Sequence, residues 1–184
     1  MIQIKNAAEL AQMRRACEIS AAALKAGGEA IEPGISTAEI DKIIYDFIVR
    51  HGARPNFLHL YGFPATACIS VNDTVIHGIP SRSQKIRPGD IVSIDTGCKI
   101  GGFNGDNACT YACGKVDLEA RRLMEVTKES LHRGIAMAQA GNRIGDISHA
   151  VQSYVEENGF SVVRSFVGHG VGKELHEDPE VPNF

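Results

Sequence analysis

The chain has 184 residues, of which 43% are hydrophobic and 22% are charged, a composition that excludes intrinsic disorder and fits one globular domain. Its 19 lysines and arginines stand against 22 aspartates and glutamates, for a formal net charge of -3. Because no basic run is present, we expect neither a nucleic-acid stripe nor a membrane-surface helix. A signal-peptide pattern and an apolar run of about 18 residues are also absent, so we expect a cytoplasmic protein.

Two capping boxes predict the first two helices. Asn6 with Glu9 begins the first helix, and Ser36 with Glu39 begins the second, which closes at Gly52. Spacings of three and four predict that the first helix buries the face formed by Leu10, Met13, Cys17, Ala21 and Leu24.

The middle of the chain changes to β character. Short runs rich in β-branched and aromatic residues, separated by turn residues, predict strands at 66–71, 74–80, 90–96 and 103–113. The five cysteines form no Cys-x-x-Cys pair, so we interpret them as reduced and mostly buried: Cys17, Cys68, Cys98, Cys109 and Cys113.

Helical periodicity returns after this β region, at 117–135 and again at 146–158, and 160–168 is then predicted as a strand. One constant offset superimposes the two helical regions, placing Gly34 on Gly141, Ile40 on Ile147, Ile44 on Val151 and Gly52 on Gly159. The pattern predicts an α+β fold of two related halves, about 1–115 and 116–184. Chance agreement of two amphipathic helical regions is the alternative.

The segment "SIDTGCKIGGFNGDNACTY" at 93–111 is predicted as a β-hairpin that carries Asp95 and Asp106. Their positions place them opposite each other across a two-residue turn at Ile100 and Gly101. Opposed like charges are destabilising, so three arrangements are open: solvated carboxylates, a pair that shares one proton, or two ligands of a cation.

Three histidines occur in settings that favour a functional site. His169 lies between two glycines after the predicted apolar strand, and His176 follows seven residues later. His77, in "NDTVIHGIP", has a similar setting at the end of a short predicted strand. Glycines allow close approach of the backbone to a ligand, and imidazole is a common metal ligand and proton carrier.

Three segments, "SVNDTVIHGIP", "VSIDTGCKIGGFNGDNACTY" and "VGHGVGKELHEDP", resemble in order and spacing the signature segments of the type I methionine aminopeptidases. The resemblance begins in the first helix and covers essentially the whole chain. It implies a cytosolic two-metal hydrolase with the pita-bread fold. Prolidases and creatinases share this fold.

The resemblance also implies roles for particular residues. Asp95 and Asp106 match the aspartate ligands, with Asp106 bridging both metals, and His169 matches the histidine ligand. His77 and His176 match the histidines that hold the substrate and assist the reaction. The methionine pocket is matched by Tyr61, by Phe63, where tyrosine is expected, and by Cys68.

The implied cofactors are two divalent metal ions, and the ligand types are compatible with Co, Mn, Fe or Zn. The implied substrates are N-terminal Met peptides of nascent chains, with the ribosome as a candidate partner. We expect a monomer without nucleic-acid or membrane partners.

The family's two remaining ligands are glutamates on strands of the second half. The offset that takes Gly34 to Gly141 places the counterparts of the acidic hairpin at positions 202 and 213, beyond residue 184. We therefore expect residues 1–184 to be a single catalytic domain that is truncated in its second half, with a weak metal site that could leave the chain inactive. The glutamates near His176 are expected to be surface charges: Glu174, Glu177 and Glu180.

Two alternative functions are open at this point. One is a non-catalytic module that binds peptide amino termini, and the other is a proline-directed peptidase on the same fold.

Overall fold

The computed structural model describes residues 1–184. The chain divides into an amino-terminal unit (Ile4–Val116 with Val171–Leu175) and a carboxy-terminal unit (Met1–Gln3, Asp117–Gly170 and His176–Phe184). Helices and a mainly antiparallel sheet both occur, so the predicted α+β class is confirmed. No helix combines the length and the apolar character that a membrane crossing requires.

Two helices open the amino-terminal unit, α1 (Ala7–Glu29) and α2 (Thr37–Arg50). Both predicted capping boxes are confirmed. The Asn6 side chain accepts a hydrogen bond from the Glu9 N–H at 3.0 Å, and the Glu9 carboxylate accepts one from the Asn6 N–H at 3.1 Å. Ser36 and Glu39 form the same reciprocal pair at α2. These caps satisfy N–H groups that the first helical turn leaves without partners.

Four antiparallel strands form the sheet of this unit around a long central strand. The strands are β1 (Arg54–Pro55), β2 (Ala67–Val71), β3 (Ile91–Ile100) and β4 (Phe103–Ala112). β4 pairs along the whole of β3, and β1 and β2 pair with the other edge of β3. The main hydrophobic core joins the helix-facing residues Val92, Ile94 and Cys98 of β3 to Ile40, Ile44 and Ile48 of α2.

The buried face of α1 differs from the predicted one. Of the predicted residues only Leu24 is buried, and Leu10 is 42% exposed. The buried residues are Ala16, Ser20, Ala23, Leu24 and Gly27. All but Leu24 are small because α1 lies directly against the sheet: the Cys98 thiol donates to the Ala16 carbonyl at 3.4 Å, and the Ser20 hydroxyl donates to the Thr96 carbonyl at 2.9 Å. The prediction was wrong because it weighed hydrophobicity, whereas close approach selects small side chains.

The register of the β3–β4 hairpin also corrects a prediction. The two turn residues are Gly101 and Gly102, with φ of 60° and 84°, and Ile100 pairs with Phe103. A two-residue hairpin turn of this kind needs positive φ at both central residues. The β-branched Ile100 is unsuited to that conformation, which explains why the turn lies one residue later than predicted.

The strand predicted at 74–80 is absent. Residues 72–80 form an irregular segment that Gly78 attaches to β2. The Gly78 carbonyl accepts from the Ile69 N–H at 2.8 Å, and the Gly78 N–H donates to the Ser70 hydroxyl at 3.0 Å. A Cβ at Gly78 would lie 2.2 Å from the Ile69 carbonyl oxygen, so this attachment requires glycine.

The carboxy-terminal unit contains a helix pair and a short hairpin: α3 (Leu118–Met137), α4 (Ile144–Glu157), β5 (Gly168–Gly170) and β6 (Glu177–Val181). Asp117 caps α3 through the Ala120 N–H. The predicted strand at 160–168 is wrong over most of its length, because only Gly168–Gly170 forms a strand. His169 therefore lies within the strand and not after it.

The two helix pairs repeat each other closely. The offset found in the sequence carries the bounds of α2 onto the bounds of α4. A Cβ at Gly27 would lie 2.7 Å from Ile44 and 3.5 Å from Ile40, and a Cβ at Gly134 would lie 2.9 Å from Val151 and 3.4 Å from Ile147. Each of these contacts in α1–α2 thus has its counterpart, at the same offset, in α3–α4. The predicted internal repeat is therefore present in local packing as well as in sequence.

The contact between α1 and β4 allows a stability test. Gly105→Ala would place a methyl group 2.5 Å from backbone atoms of Ala16, which cannot rotate away. We expect a loss of about 3 kcal/mol or more in the free energy of unfolding. Gly145→Ala is the matched control, because a Cβ there, within α4, meets no atom within 4 Å, and it should add about 0.5 kcal/mol. Urea unfolding followed by circular dichroism measures both; equal stability of the two variants would contradict the proposed contact.

Candidate functional site

Asp95 of β3 and Asp106 of β4 are diagonal neighbours on one face of the sheet. Asp95 pairs with Ala108 and Asp106 pairs with Gly97, so the two aspartates are not directly opposed as predicted. Side chains alternate along a strand, and the neighbours of Asp95 in β3, Ile94 and Thr96, are buried on the helix side. Both carboxyl groups therefore project from the face opposite α1, where they are hydrogen-bonded to each other.

The environment of this pair raises the pKa of Asp95 to about 7. Burial is the largest cause, followed by the negative charge of Asp106 and the hydrogen bond between the two carboxyl groups. Both aspartates are half-buried, so their carboxyl groups are only partly hydrated. Without metal, one proton shared by the pair removes the like-charge repulsion; with metal, a cation removes it.

An apolar cluster adjoins the aspartate pair on the same sheet. Phe57, Cys68 and Leu175 are buried together, and Leu60 and Phe63 pack against them. Cys68 pairs with Asp95 across β2 and β3. The pKa of the Cys68 thiol rises to about 12, mainly through burial and then through the charges of Asp95, Asp106 and Asp41. The thiol is therefore neutral at physiological pH and extends the apolar surface up to the carboxylates.

The predicted pocket residues are only partly brought together. Phe63 and Cys68 both belong to this cluster. Tyr61 does not, because its side chain is 92% exposed and its backbone has a left-handed conformation with φ of 48°. Phe57 and Leu175 were missed by the sequence interpretation; the position of Leu175 directly before His176 was the available signal.

His77 lies on the irregular segment beside β2, and not at a strand end as predicted. It is exposed, and its φ of 57° is unusual for a residue other than glycine. The following residue, Gly78, is hydrogen-bonded to β2. The left-handed turn at His77 is thus held in place by the strand that carries Cys68, which restricts the direction of the imidazole.

His169 and His176 contact each other in the carboxy-terminal unit. Their ring centroids are 4.4 Å apart in an edge-to-face arrangement. His169 Nδ1 lies 2.9 Å from the Gly170 carbonyl oxygen, which accepts a hydrogen bond from Nδ1–H. In the neutral ring Nε2 then carries the lone pair, which is the state that ligates a metal. Of the three nearby glutamates, Glu174 and Glu180 are exposed and Glu177 is half-buried.

Residues 11–184 match the family model described as metallopeptidase family M24. The match covers the aspartate hairpin, the apolar cluster and the histidine pair. The chain belongs to metallopeptidase family M24. The family description implies divalent metal ions.

The chain is similar to methionine aminopeptidases and, more distantly, to a prolidase. The methionine aminopeptidase of Clostridium perfringens is 52% identical over 184 residues, which is 100% of this chain and 74% of that protein. The crystal structure of the Thermotoga maritima methionine aminopeptidase is 40% identical, with a TM-score of 0.98, over 100% of this chain and 74% of that one. The Pyrococcus furiosus prolidase is 25% identical, with a TM-score of 0.84, over 98% and 52%. The predicted pita-bread fold is confirmed by these similarities.

The donor chemistry of the aspartate pair fits an M24 metal. Carboxylate oxygens suit divalent cations, and burial of two carboxyl groups together is costly unless a proton or a cation offsets their charge. No group of three or more His, Cys, Asp or Glu side chains in the structure is arranged to hold a metal ion. The pair therefore accounts for part of a ligand set.

Proposed function

We propose that this protein removes N-terminal methionine from peptides in a reaction that depends on divalent metal. The observation that carries the proposal is the juxtaposition, on one sheet face, of a half-buried carboxylate pair and an apolar cluster. A peptidase of this kind needs a polar centre for the scissile bond and an adjacent apolar pocket for the side chain of the first residue. The similarity to proteins named methionine aminopeptidase supports this assignment.

Asp95, Asp106 and His169 are the residues that would hold the metal. Two divalent ions held by these residues would lower the pKa of a water molecule and polarise the scissile carbonyl. The carboxylates would hold the charge of the ions, and the Gly170 carbonyl would keep the imidazole of His169 in the required tautomer. Co, Mn, Fe and Zn all suit this mixture of oxygen and nitrogen donors.

The remaining side chains would act on the peptide. His77 and His176 would donate hydrogen bonds to the substrate and stabilise negative charge as it develops on the carbonyl oxygen. Phe63 and Cys68, with Phe57 and Leu175, would enclose the unbranched methionine side chain. The neutral Cys68 thiol is compatible with thioether packing because it introduces no charge. Tyr61 would contact substrate only at the open edge of the pocket.

The proposed function is tested by comparing substrates. Purified chain with added Mn²⁺ or Co²⁺ is assayed with Met-Ala-Ser and with an Ala-Pro dipeptide, and binding of L-methionine and L-proline is measured in parallel. We expect preference for methionine in both assays, because an unbranched side chain fills the cluster. Preference for the proline compounds would favour the proline-directed alternative. Methionine binding with no turnover and no bound metal would favour the non-catalytic module.

We further propose that the substrates are nascent chains, met in the cytoplasm near the ribosome, and that the protein acts as a monomer. Co-sedimentation with ribosomes and analytical ultracentrifugation test these two points separately.

A further inference from the structure

Asn104 is a buried side chain that the proposed chemistry does not use. It lies two residues before Asp106 on β4 and is 1% exposed. Its Nδ2 donates hydrogen bonds to the carbonyl oxygens of Gly172 and Lys173, both at 3.0 Å. Its backbone N–H donates a third bond to the Gly172 carbonyl at 2.8 Å. One strand residue thus joins the hairpin to a segment 68 residues further along the chain.

The orientation of the Asn104 amide is determined by its surroundings. Its Oδ1 accepts from Asn56 Nδ2 at 3.3 Å, so both sides of the amide group are engaged. Lys99 Nζ also donates to the Lys173 carbonyl, and the Lys173 ammonium forms an ion pair with Glu9 at 2.9 Å. The segment is therefore held by a network in which Asn104 is the buried member, and buried hydrogen bonds are costly to break.

The segment that Asn104 holds carries one wall of the apolar cluster. Gly172 N–H donates to the Glu174 carbonyl at 3.0 Å, which makes a compact turn before Leu175. Leu175 is 8% exposed and packs with Phe57 and Cys68. The turn that precedes Leu175 is thus attached to β4 through Asn104.

We propose that Asn104 is a positioning residue that sets the affinity of the pocket for methionine. By holding the Gly172 and Lys173 carbonyls, it fixes Leu175 as the pocket wall. The inference rests on the proposed function, since it assigns the cluster to the methionine side chain. Asn104 itself contacts neither the side chain nor the scissile bond in this assignment.

The test compares two asparagines of the same strand. Asn104→Ala removes the side-chain donor to the Gly172 and Lys173 carbonyls and keeps the backbone bond to Gly172. Asn107→Ala removes an Nδ2 that is buried without a hydrogen-bond partner. L-methionine is titrated into each protein with Zn²⁺ present, and the Leu175 methyl resonances are followed by NMR. Hydrogen exchange of the Gly172 amide is measured on the same samples.

We expect Asn104→Ala to bind L-methionine about tenfold more weakly and to accelerate Gly172 exchange about tenfold, with Asn107→Ala unchanged in both. Lys99→Met, which removes only the partly exposed donor to the Lys173 carbonyl, should weaken binding about two- to threefold; it replaces Asn104→Ala if that variant does not fold. Wild-type affinity in Asn104→Ala, or in Lys99→Met where it is the substitute, overturns the inference. Failure of the wild-type chain to bind L-methionine at all overturns the proposed function instead, and the pocket role with it.

Discussion

Replacement of Asp95 by asparagine is expected to reduce divalent-metal affinity by about a hundredfold or more while stabilising the metal-free chain. The amide keeps the shape of the carboxyl group but removes a charge that burial and Asp106 both disfavour. Since each unit of pKa elevation corresponds to about 1.4 kcal/mol, the expected gain at pH 8 is on the order of 1–3 kcal/mol. Isothermal titration with Mn²⁺ and urea unfolding measure the two effects.

Asp46→Asn is the matched control for this variant. Asp46 lies on α2 with its side chain 56% exposed and paired with Lys42 one turn away, so its loss should change stability by less than about 0.5 kcal/mol and leave metal binding unchanged. If Asp95→Asn binds metal as the wild type does, Asp95 is not a ligand. If it is less stable than the wild type without metal, the carboxylate pair is not the strained element inferred from its burial.

The metal-free chain is expected to become less stable as the pH rises from about 4 to about 7. The pKa of Asp95 is 3.8 in the unfolded reference and about 7 in the folded protein. Between these values the folded state keeps a proton that the unfolded state has released, so rising pH favours unfolding; above pH 7 both states are ionised and the effect is complete. Burial also raises the pKa of Asp41, which adds to the loss of stability as the pH rises.

Below about pH 4 the chain is instead expected to lose stability as the pH falls. The pKa of Glu39 is lowered to about 2, first by hydrogen bonds from Ser36 and then by Lys85, so its contribution is lost as the pH falls below 4.5. Thermal unfolding from pH 3 to pH 9 should therefore show a maximum near pH 4–5. Asp95→Asn should remove most of the decline toward neutral pH, and saturating divalent metal should reverse it, because metal binding displaces the proton. A profile that rises steadily to pH 8 without metal would contradict the raised pKa.

Local signals in the sequence predicted the helices well. The structure confirms the capping boxes at Asn6 and Ser36 and the strands β2, β3 and β4. Each of these depends on residues that are close together in the chain. The hairpin turn was predictable too, because a turn that needs two residues of positive φ favours Gly101 and Gly102 over Ile100. The apolar runs at 74–80 and 160–168 failed as strand predictions because β-propensity depends on an available pairing edge.

Some residues of the candidate site were predictable from local motifs, and others depend on long-range contacts. Asp95, Asp106, His77, His169 and His176 were all found from motifs, and their roles in catalysis and metal binding stay predictions. Asn104 could have been suspected from period-two alternation with Asp106, but its partners at Gly172 and Lys173 have no local signal. Leu175 became a pocket residue only through that long-range attachment.

The sequence by itself determined the helices, the strands β2, β3 and β4, the internal repeat of the two helix pairs and the identity of the acidic hairpin, because each is encoded in local patterns of residues. Only the tertiary structure decided that the aspartates are diagonal and not opposed, that α1 buries small residues, and that Asn104 holds the wall of the apolar cluster. These features depend on how closely distant segments approach and which buried groups find partners. For the same reason, only the tertiary structure shows that Asp95 and Asp106 lie close enough together to require a shared proton or a cation.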